Sequence, residues 1–81
     1  MKVSTWNKPN SNEVRVYFNG VSSEVKVFAV EAADDRFEIK FSTRLYPSQQ
    51  DSILDTIDRE LEELNNGERV LRFSELKNLA K

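Results

Sequence analysis

The segment after Pro47 limits the possible folds most, because its apolar residues recur at the spacing of an amphipathic helix. These residues are Ile53, Leu54, Ile57, Leu61 and Leu64. Ser48 and Asp51 form a capping-box-like pair at the start, and Gly67 suits the left-handed position that follows a helix. We therefore predict a helix over residues 48–66, with one apolar face that another surface must cover.

Residues 13–43 are predicted to supply the surface that covers this face, because apolar and polar residues alternate along them. Alternation of β-branched and aromatic residues with polar ones is typical of strands that are buried on one side. Asn19-Gly20 and Asp34-Asp35 mark short connections, which favour antiparallel neighbours. The predicted strands cover residues 13–18, 24–31 and 36–43.

The two ends of the chain have weaker patterns. Residues 1–12 are predicted to form an arm and loop, in which Lys2–Trp6 is either a short edge strand or an ordered arm. Over residues 69–80 we predict a fourth strand, Arg69–Phe73, and then a short helix capped by Ser74. A single helix through this C-terminal segment is the alternative.

The 81 residues are thus predicted to form a single α+β domain over residues 1–81. Its expected architecture is a three- or four-stranded antiparallel sheet, a β-meander, with one long amphipathic helix packed on one face and a short C-terminal helix. A domain of this size is expected to have a stability of only about 5 kcal/mol. A bound partner would therefore add to its stability.

The composition argues against catalysis. The chain has no histidine and no cysteine, so it lacks the usual general base and the strongest nucleophile, and two glycines cannot build a phosphate-binding loop. Glu38-Ile39-Lys40 near Asp34-Asp35 resembles the carboxylate and lysine set of some metal-dependent nucleases. Charges two residues apart on a strand are more simply explained as a solvated face. We predict no enzyme activity, no cofactor and no metal site.

The location is predicted from two absences. No apolar run approaches the ~18 residues of a membrane span, so we expect no membrane association. The residues after Met1 are not typical of a signal peptide. We therefore expect a cytoplasmic protein.

The predicted helix also carries most of the acidity, since residues 47–66 contain six acids and one base. Its stripe of acids is predicted to lie opposite the apolar face, with Glu63 at the margin. The stripe consists of Asp51, Asp55, Asp58 and Glu62. Successive members are ~5 Å apart along the axis, which resembles the phosphate spacing of a nucleic acid. Our leading hypothesis is a protein-binding module, such as the small inhibitors that phages and mobile elements often encode, which presents this stripe to a basic site.

Two alternatives use the outer face of the sheet. Its basic and aromatic residues could bind single-stranded nucleic acid through phosphate contacts and base stacking. They are Arg15, Tyr17, Lys26, Phe28, Arg36 and Lys40. Glu13, Glu24 and Glu38 on the same face weaken this hypothesis. The second alternative is a homodimer that buries Tyr17 and Phe28. Basic residues of the C-terminal segment could also neutralise the acidic stripe by packing beside it.

Overall fold

Four segments with alternating apolar and polar residues form one antiparallel sheet in the computed structural model, which describes residues 1–80. They are β1 (Lys2–Asn7), β2 (Val14–Asn19), β3 (Val27–Glu31) and β4 (Phe37–Phe41). The strands lie side by side in chain order, so β1 and β4 are the edges. Two helices follow, α1 (Pro47–Leu64) and α2 (Phe73–Leu79), and a 3₁₀ turn at Ala33–Asp35 joins β3 to β4. The predicted α+β class and the meander are confirmed.

The fourth strand is N-terminal, and the prediction of a strand at Arg69–Phe73 was wrong. Every residue of β1 lies opposite a residue of β2. The connection between them is short and is closed by the N–H of Lys8, which donates to the carbonyl of Glu13 at 3.0 Å. A local hairpin of this kind loses less loop-closure entropy than pairing with a distant C-terminal segment would.

The C-terminal segment instead forms an extended stretch and α2. Phe73 begins α2 and is buried together with Leu76, so helical spacing and not strand alternation places these residues in the core. The prediction that Ser74 caps this helix was wrong, because Ser74 is the second residue of α2. Its N–H and hydroxyl donate to the carboxylate of Asp35, at 3.0 Å and 2.6 Å. The start of α2 is therefore held by a residue from the β3–β4 turn.

The strand β3 begins later than the predicted residue 24, because serine hydroxyls accept the backbone N–H groups that a ladder would use. The hydroxyl of Ser22 accepts from Glu24 at 3.2 Å and from Val25 at 3.4 Å. The hydroxyl of Ser42 accepts from the N–H of Lys26 at 2.9 Å. β4 likewise lies within its predicted range and is shorter at both ends.

The helix α1 confirms the predicted helix but begins at Pro47, so the capping box of Ser48 and Asp51 was wrong. The N–H of Tyr46 donates to the side-chain oxygen of Gln49 at 3.0 Å, which ties the chain to the first turn. Proline suits the first helical position because its φ angle is already helical and its missing N–H would have no partner within the helix.

The other end of α1 lies two residues before the predicted one. The N–H of Gly67 donates to the carbonyl of Glu62 at 2.8 Å, and Asn66 adopts a left-handed φ of 58°. These features are typical of a Schellman motif, in which asparagine can replace glycine. Over residues 1–80, no helix combines the length and the apolar character that crossing a bilayer requires.

The core lies between one face of the sheet and the two helices. Ile57 and Leu61 bring the predicted apolar face of α1 into it, whereas Leu64 is 48% exposed. Side chains of β4 are only partly buried, because an edge strand has a covering neighbour on one side alone. The buried cluster consists of Val16, Phe18, Val25, Val27, Ala29, Ile57, Leu61, Val70, Phe73 and Leu76.

Candidate protein-interaction site

The acidic residues of α1 lie beside its apolar face, and the prediction that they lie opposite it was wrong. At 100° per residue, the centre of the acidic stripe is about 120° from the centre of the apolar face. Asp51, Asp55 and Asp58 are exposed, yet they line the same surface depression as Leu54 and Leu61. Carboxylates and apolar side chains thus border one another on this side of α1.

The depression is a groove of about 630 Å³ between α1 and β4. Phe37 and Ile39 of β4 line one side of it, and the extended segment after α1 contributes Arg69 and Val70. Leu71 in the same segment also lines the groove and is 62% exposed. We call this feature the β4–α1 groove, and its three acids, Asp51, Asp55 and Asp58, the groove aspartates.

The groove aspartates have little internal counter-charge. Arg69 Nε lies 3.6 Å from Asp58 Oδ1, and both side chains are more than half exposed. Such an exposed pair contributes roughly 0–1 kcal/mol. Within residues 1–80, neither Asp51 nor Asp55 forms an ion pair. The predicted neutralisation by the C-terminal segment therefore occurs at one of the three carboxylates, and weakly.

The remaining predicted acids lie elsewhere. Glu62 and Glu63 are exposed but do not line the β4–α1 groove. The groove residues Phe37, Ile39 and Leu71 were absent from the predicted site. A signal for the first two was present, since the last strand of a meander is an edge strand whose inward side chains are incompletely covered. No sequence pattern indicated that Leu71 is part of a site, because Arg69–Phe73 was predicted to be a strand of the sheet.

The outer face of the sheet carries a cluster around Arg15. Its guanidinium carbon lies 4.6 Å from the ring centroid of Phe28 and 5.1 Å from that of Trp6. Nη1 donates to the hydroxyl of Tyr17 at 3.2 Å, and Nε donates to Glu13 at 2.8 Å. These contacts, with the hydrogen bond to Tyr17 first, raise the pKa of the Arg15 guanidinium. We call Trp6, Arg15, Tyr17 and Phe28 the outer cluster.

The outer cluster contains only half of the residues predicted for the sheet-face site. Phe28 is 9% exposed, and the guanidinium already covers the rings on which nucleic-acid bases would stack. Lys26, Arg36 and Lys40 are exposed and do not join the cluster, although Lys40 lies opposite Phe28 in the ladder. Trp6 was not among the residues predicted for this site, and its ring lies 6.5 Å from that of Tyr17. Nucleic-acid binding and homodimerisation through this face stay predictions.

The aspartates of the β3–β4 turn have a structural role. Asp34 and Asp35 adopt left-handed φ angles of 61° and 60°, which aspartate tolerates better than most residues. The hydrogen bonds from Ser74 hold the pKa of the Asp35 carboxyl below its ordinary value, and Arg72 and Lys77 add to this effect. In the part of the chain that the structure describes, no three acidic side chains converge as metal ligands would.

Comparisons with protein families, with curated proteins and with solved structures found no match to this chain. Which ligands the site suits is inferred from its side chains and their positions. The groove aspartates accept hydrogen bonds from cations, and the neighbouring apolar side chains contact aliphatic carbon. Lysine and arginine side chains combine both properties, because a charged head ends an aliphatic stem. The β4–α1 groove thus suits basic side chains.

Proposed function

We propose that this chain is a non-enzymatic protein-binding module that presents the β4–α1 groove to a basic segment of a partner protein. The observation that carries the proposal is the position of the groove aspartates, which border an apolar surface and form one weak ion pair within residues 1–80. The lack of histidine and cysteine supports binding over catalysis.

Helix stability does not explain the groove aspartates. The first turn of α1 contains no acid, so Asp51 lies beyond the region where the helix dipole favours negative charge most. Asp51 and Asp55 are four residues apart, and Asp55 and Asp58 are three apart, which places like charges next to each other. Each such pair is destabilising by roughly 0.2–0.5 kcal/mol, and the one favourable pair open to the groove aspartates at this spacing, Asp55 with Arg59, offsets only part of this cost. A binding role supplies a reason to keep them.

The spacing of the carboxylates indicates the kind of partner. Successive acids rise ~5 Å along α1, which is similar to the spacing of phosphates along a nucleic acid. A partner site that holds a phosphate backbone with lysine and arginine would therefore accept this helix. We propose that the chain blocks such a site as a small inhibitor, in the cytoplasm.

A peptide selection tests this proposal. A display library of random peptides is selected on the immobilised protein, and the recovered peptides are titrated against the protein in solution. We expect lysine and arginine to be enriched among the recovered peptides. We also expect replacement of all three groove aspartates with asparagine to weaken binding by about tenfold or more, because charge-assisted hydrogen bonds are lost.

The matched control replaces Glu62, Glu63 and Glu68 with glutamine. It changes the net charge by the same amount at exposed positions outside the β4–α1 groove. We expect this variant to bind within about twofold of the original protein at moderate salt. Equal losses from both triple variants, or recovered peptides without basic residues, would refute the proposed site.

A further inference from the structure

The hydrogen-bonding pattern of the sheet determines which backbone groups of β4 point outward. The N–H of Ala32 donates to the carbonyl of Arg36 at 2.8 Å, and the N–H of Ser42 donates to the carbonyl of Lys26 at 2.9 Å. Hydrogen-bonded pairs alternate with non-bonded pairs along an antiparallel ladder. Every second residue between these two pairs therefore directs its N–H and C=O away from β3. They are Phe37, Ile39 and Phe41.

These outward groups have no other partner within residues 1–80. β4 is the last strand of the sheet, and in the described part of the chain no turn, helix or side chain hydrogen-bonds to its outer edge. Two of the same residues, Phe37 and Ile39, also line the β4–α1 groove. The open edge and the groove are therefore contiguous.

The other edge of the sheet differs. α2 packs beside β1, and the N-terminal ammonium of Met1 lies 3.4 Å from Glu60 of α1. Within residues 1–80, no helix makes a comparable contact with β4, so β4 is the more accessible edge.

We propose that the partner segment binds as a fifth strand, antiparallel to β4, with basic side chains directed into the β4–α1 groove. This inference rests on the proposed function and specifies how the partner binds. Strand addition uses backbone hydrogen bonds for affinity and alternate side chains for specificity. The free N–H and C=O groups of β4 supply the first, and the groove supplies the second.

Side-chain geometry decides which partner residues make each contact. Directly opposed residues in an antiparallel pair have side chains on the same face. A partner residue opposite Ile39 would therefore enter the groove and also exchange both backbone hydrogen bonds with it. Its aliphatic stem would lie along Phe37 and Ile39, and its charged head would reach the groove aspartates. Intervening partner residues would lie on the outer face, beside Glu38 and Lys40.

A second copy of this chain fits the edge less well. Antiparallel pairing centred on Ile39 would place Glu38 opposite Lys40 of the other copy, which is favourable. The same pairing would bring both sets of groove aspartates onto one face of the joined sheet, with one arginine in each set. Like charges concentrated in this way oppose self-association, whereas a basic segment neutralises them.

The test uses a peptide of alternating threonine and lysine residues, blocked at both ends, and two N-methylated versions. One version carries methyl groups on the lysine amides and the other on the threonine amides. Lysines that point into the groove direct their N–H groups toward β4, so we expect lysine methylation to weaken binding by about tenfold or more. Threonine amides face away from β4, and we expect their methylation to change affinity by less than about twofold.

The outcomes separate this inference from the proposed function. An equal effect of both methylated peptides, a larger effect at threonine, or no binding of the unmethylated peptide would overturn strand addition, while the display selection stands by itself. Sedimentation of the protein alone completes the test, with a monomer expected. A dimer that the peptide dissociates would identify a second copy as the occupant and would overturn the proposal.

Discussion

The two sides of the sheet differ in what their charged side chains contact. In the outer cluster, one guanidinium covers two aromatic rings and donates to a hydroxyl and a carboxylate. In the β4–α1 groove, two of three carboxylates form no ion pair within residues 1–80. A charge beside aromatic residues therefore does not by itself indicate a ligand site. The more informative feature is a charge whose own chain supplies no partner.

Secondary structure explains this difference. On a strand, residues two apart share a face, so Arg15 lies between Glu13 and Tyr17, with Phe28 on the adjacent strand. On a helix, the near neighbours are three and four residues away. For Asp55 these neighbours include two other aspartates, Asp51 and Asp58, and Arg59, with which it forms no ion pair within residues 1–80. The first arrangement satisfies its charge locally, and the second leaves its charge for a partner.

The largest effect that would sharpen this comparison is expected at Phe28. Phe28→Ala removes a buried ring from beneath the guanidinium of Arg15, and we expect a loss of about 3 kcal/mol in the free energy of unfolding. For a domain with a total stability of about 5 kcal/mol, that loss is severe. Urea denaturation followed by circular dichroism measures it.

The matched variant in the groove is Leu71→Ala. Leu71 is 62% exposed, so its truncation is expected to change the free energy of unfolding by less than about 0.5 kcal/mol. The same variant should weaken peptide binding, because the side chain lines the β4–α1 groove. Similar losses of stability at Phe28 and Leu71 would contradict the distinction between a structural cluster and a binding surface.

A smaller effect is expected at Asp35, which accepts hydrogen bonds from Ser74 in the first turn of α2, shortly after the groove residue Leu71. Asp35→Asn keeps a side chain that tolerates the left-handed φ but removes the carboxylate that accepts from Ser74. We expect lower stability at neutral pH and weaker peptide binding. The loss of stability should be smaller than that of Phe28→Ala, because Asp35 is near the surface.

The pH dependence of this variant follows from the lowered pKa of Asp35. A carboxyl whose pKa is lower in the folded protein adds stability above its unfolded pKa of about 3.9, and this contribution disappears as the pH falls through the folded pKa. The difference between Asp35→Asn and the original protein should therefore be constant from pH 5 to 7 and shrink below about pH 4. A difference independent of pH would show that the charge of Asp35 is not involved.

Local patterns predicted most of the fold. The strands β2, β3 and β4 and the helix α1 follow from periodicities of two and 3.6 residues, which need no knowledge of distant contacts. The choice of fourth strand did not follow, because Lys2–Trp6 and Arg69–Phe73 both contain apolar residues at plausible spacing. Which segment pairs depends on the available edge and on the length of the connecting loop, and these are properties of the whole chain.

The candidate site was predicted in part. Asp51, Asp55 and Asp58 were identified from their spacing, and their angle of about 120° to the apolar face also follows from helix geometry. That they share a groove with β4 became clear only with α1 placed against that strand. The groove combines three segments that are far apart in the sequence, so no local pattern could reveal it. The contacts within the outer cluster could not be predicted either, although its residues were identified in part. Whether Arg15 extends into solvent or stacks on rings depends on side-chain geometry that composition does not encode.

The smallest effect, and the sharpest test of the unpaired charges, is expected at Arg69. Arg69→Ala removes the cation that forms an ion pair with Asp58 within residues 1–80, and we expect the free energy of unfolding to change by less than about 0.5 kcal/mol. Binding of the threonine–lysine peptide should become up to about threefold tighter at low salt, because Asp58 no longer has an internal competitor. Lys8→Ala is the control, since it removes the same charge from the β1–β2 connection, at an exposed position outside the groove. An equal gain from both variants would indicate a general effect of net charge, and a loss of binding at Arg69 would mean that this arginine itself contacts the partner.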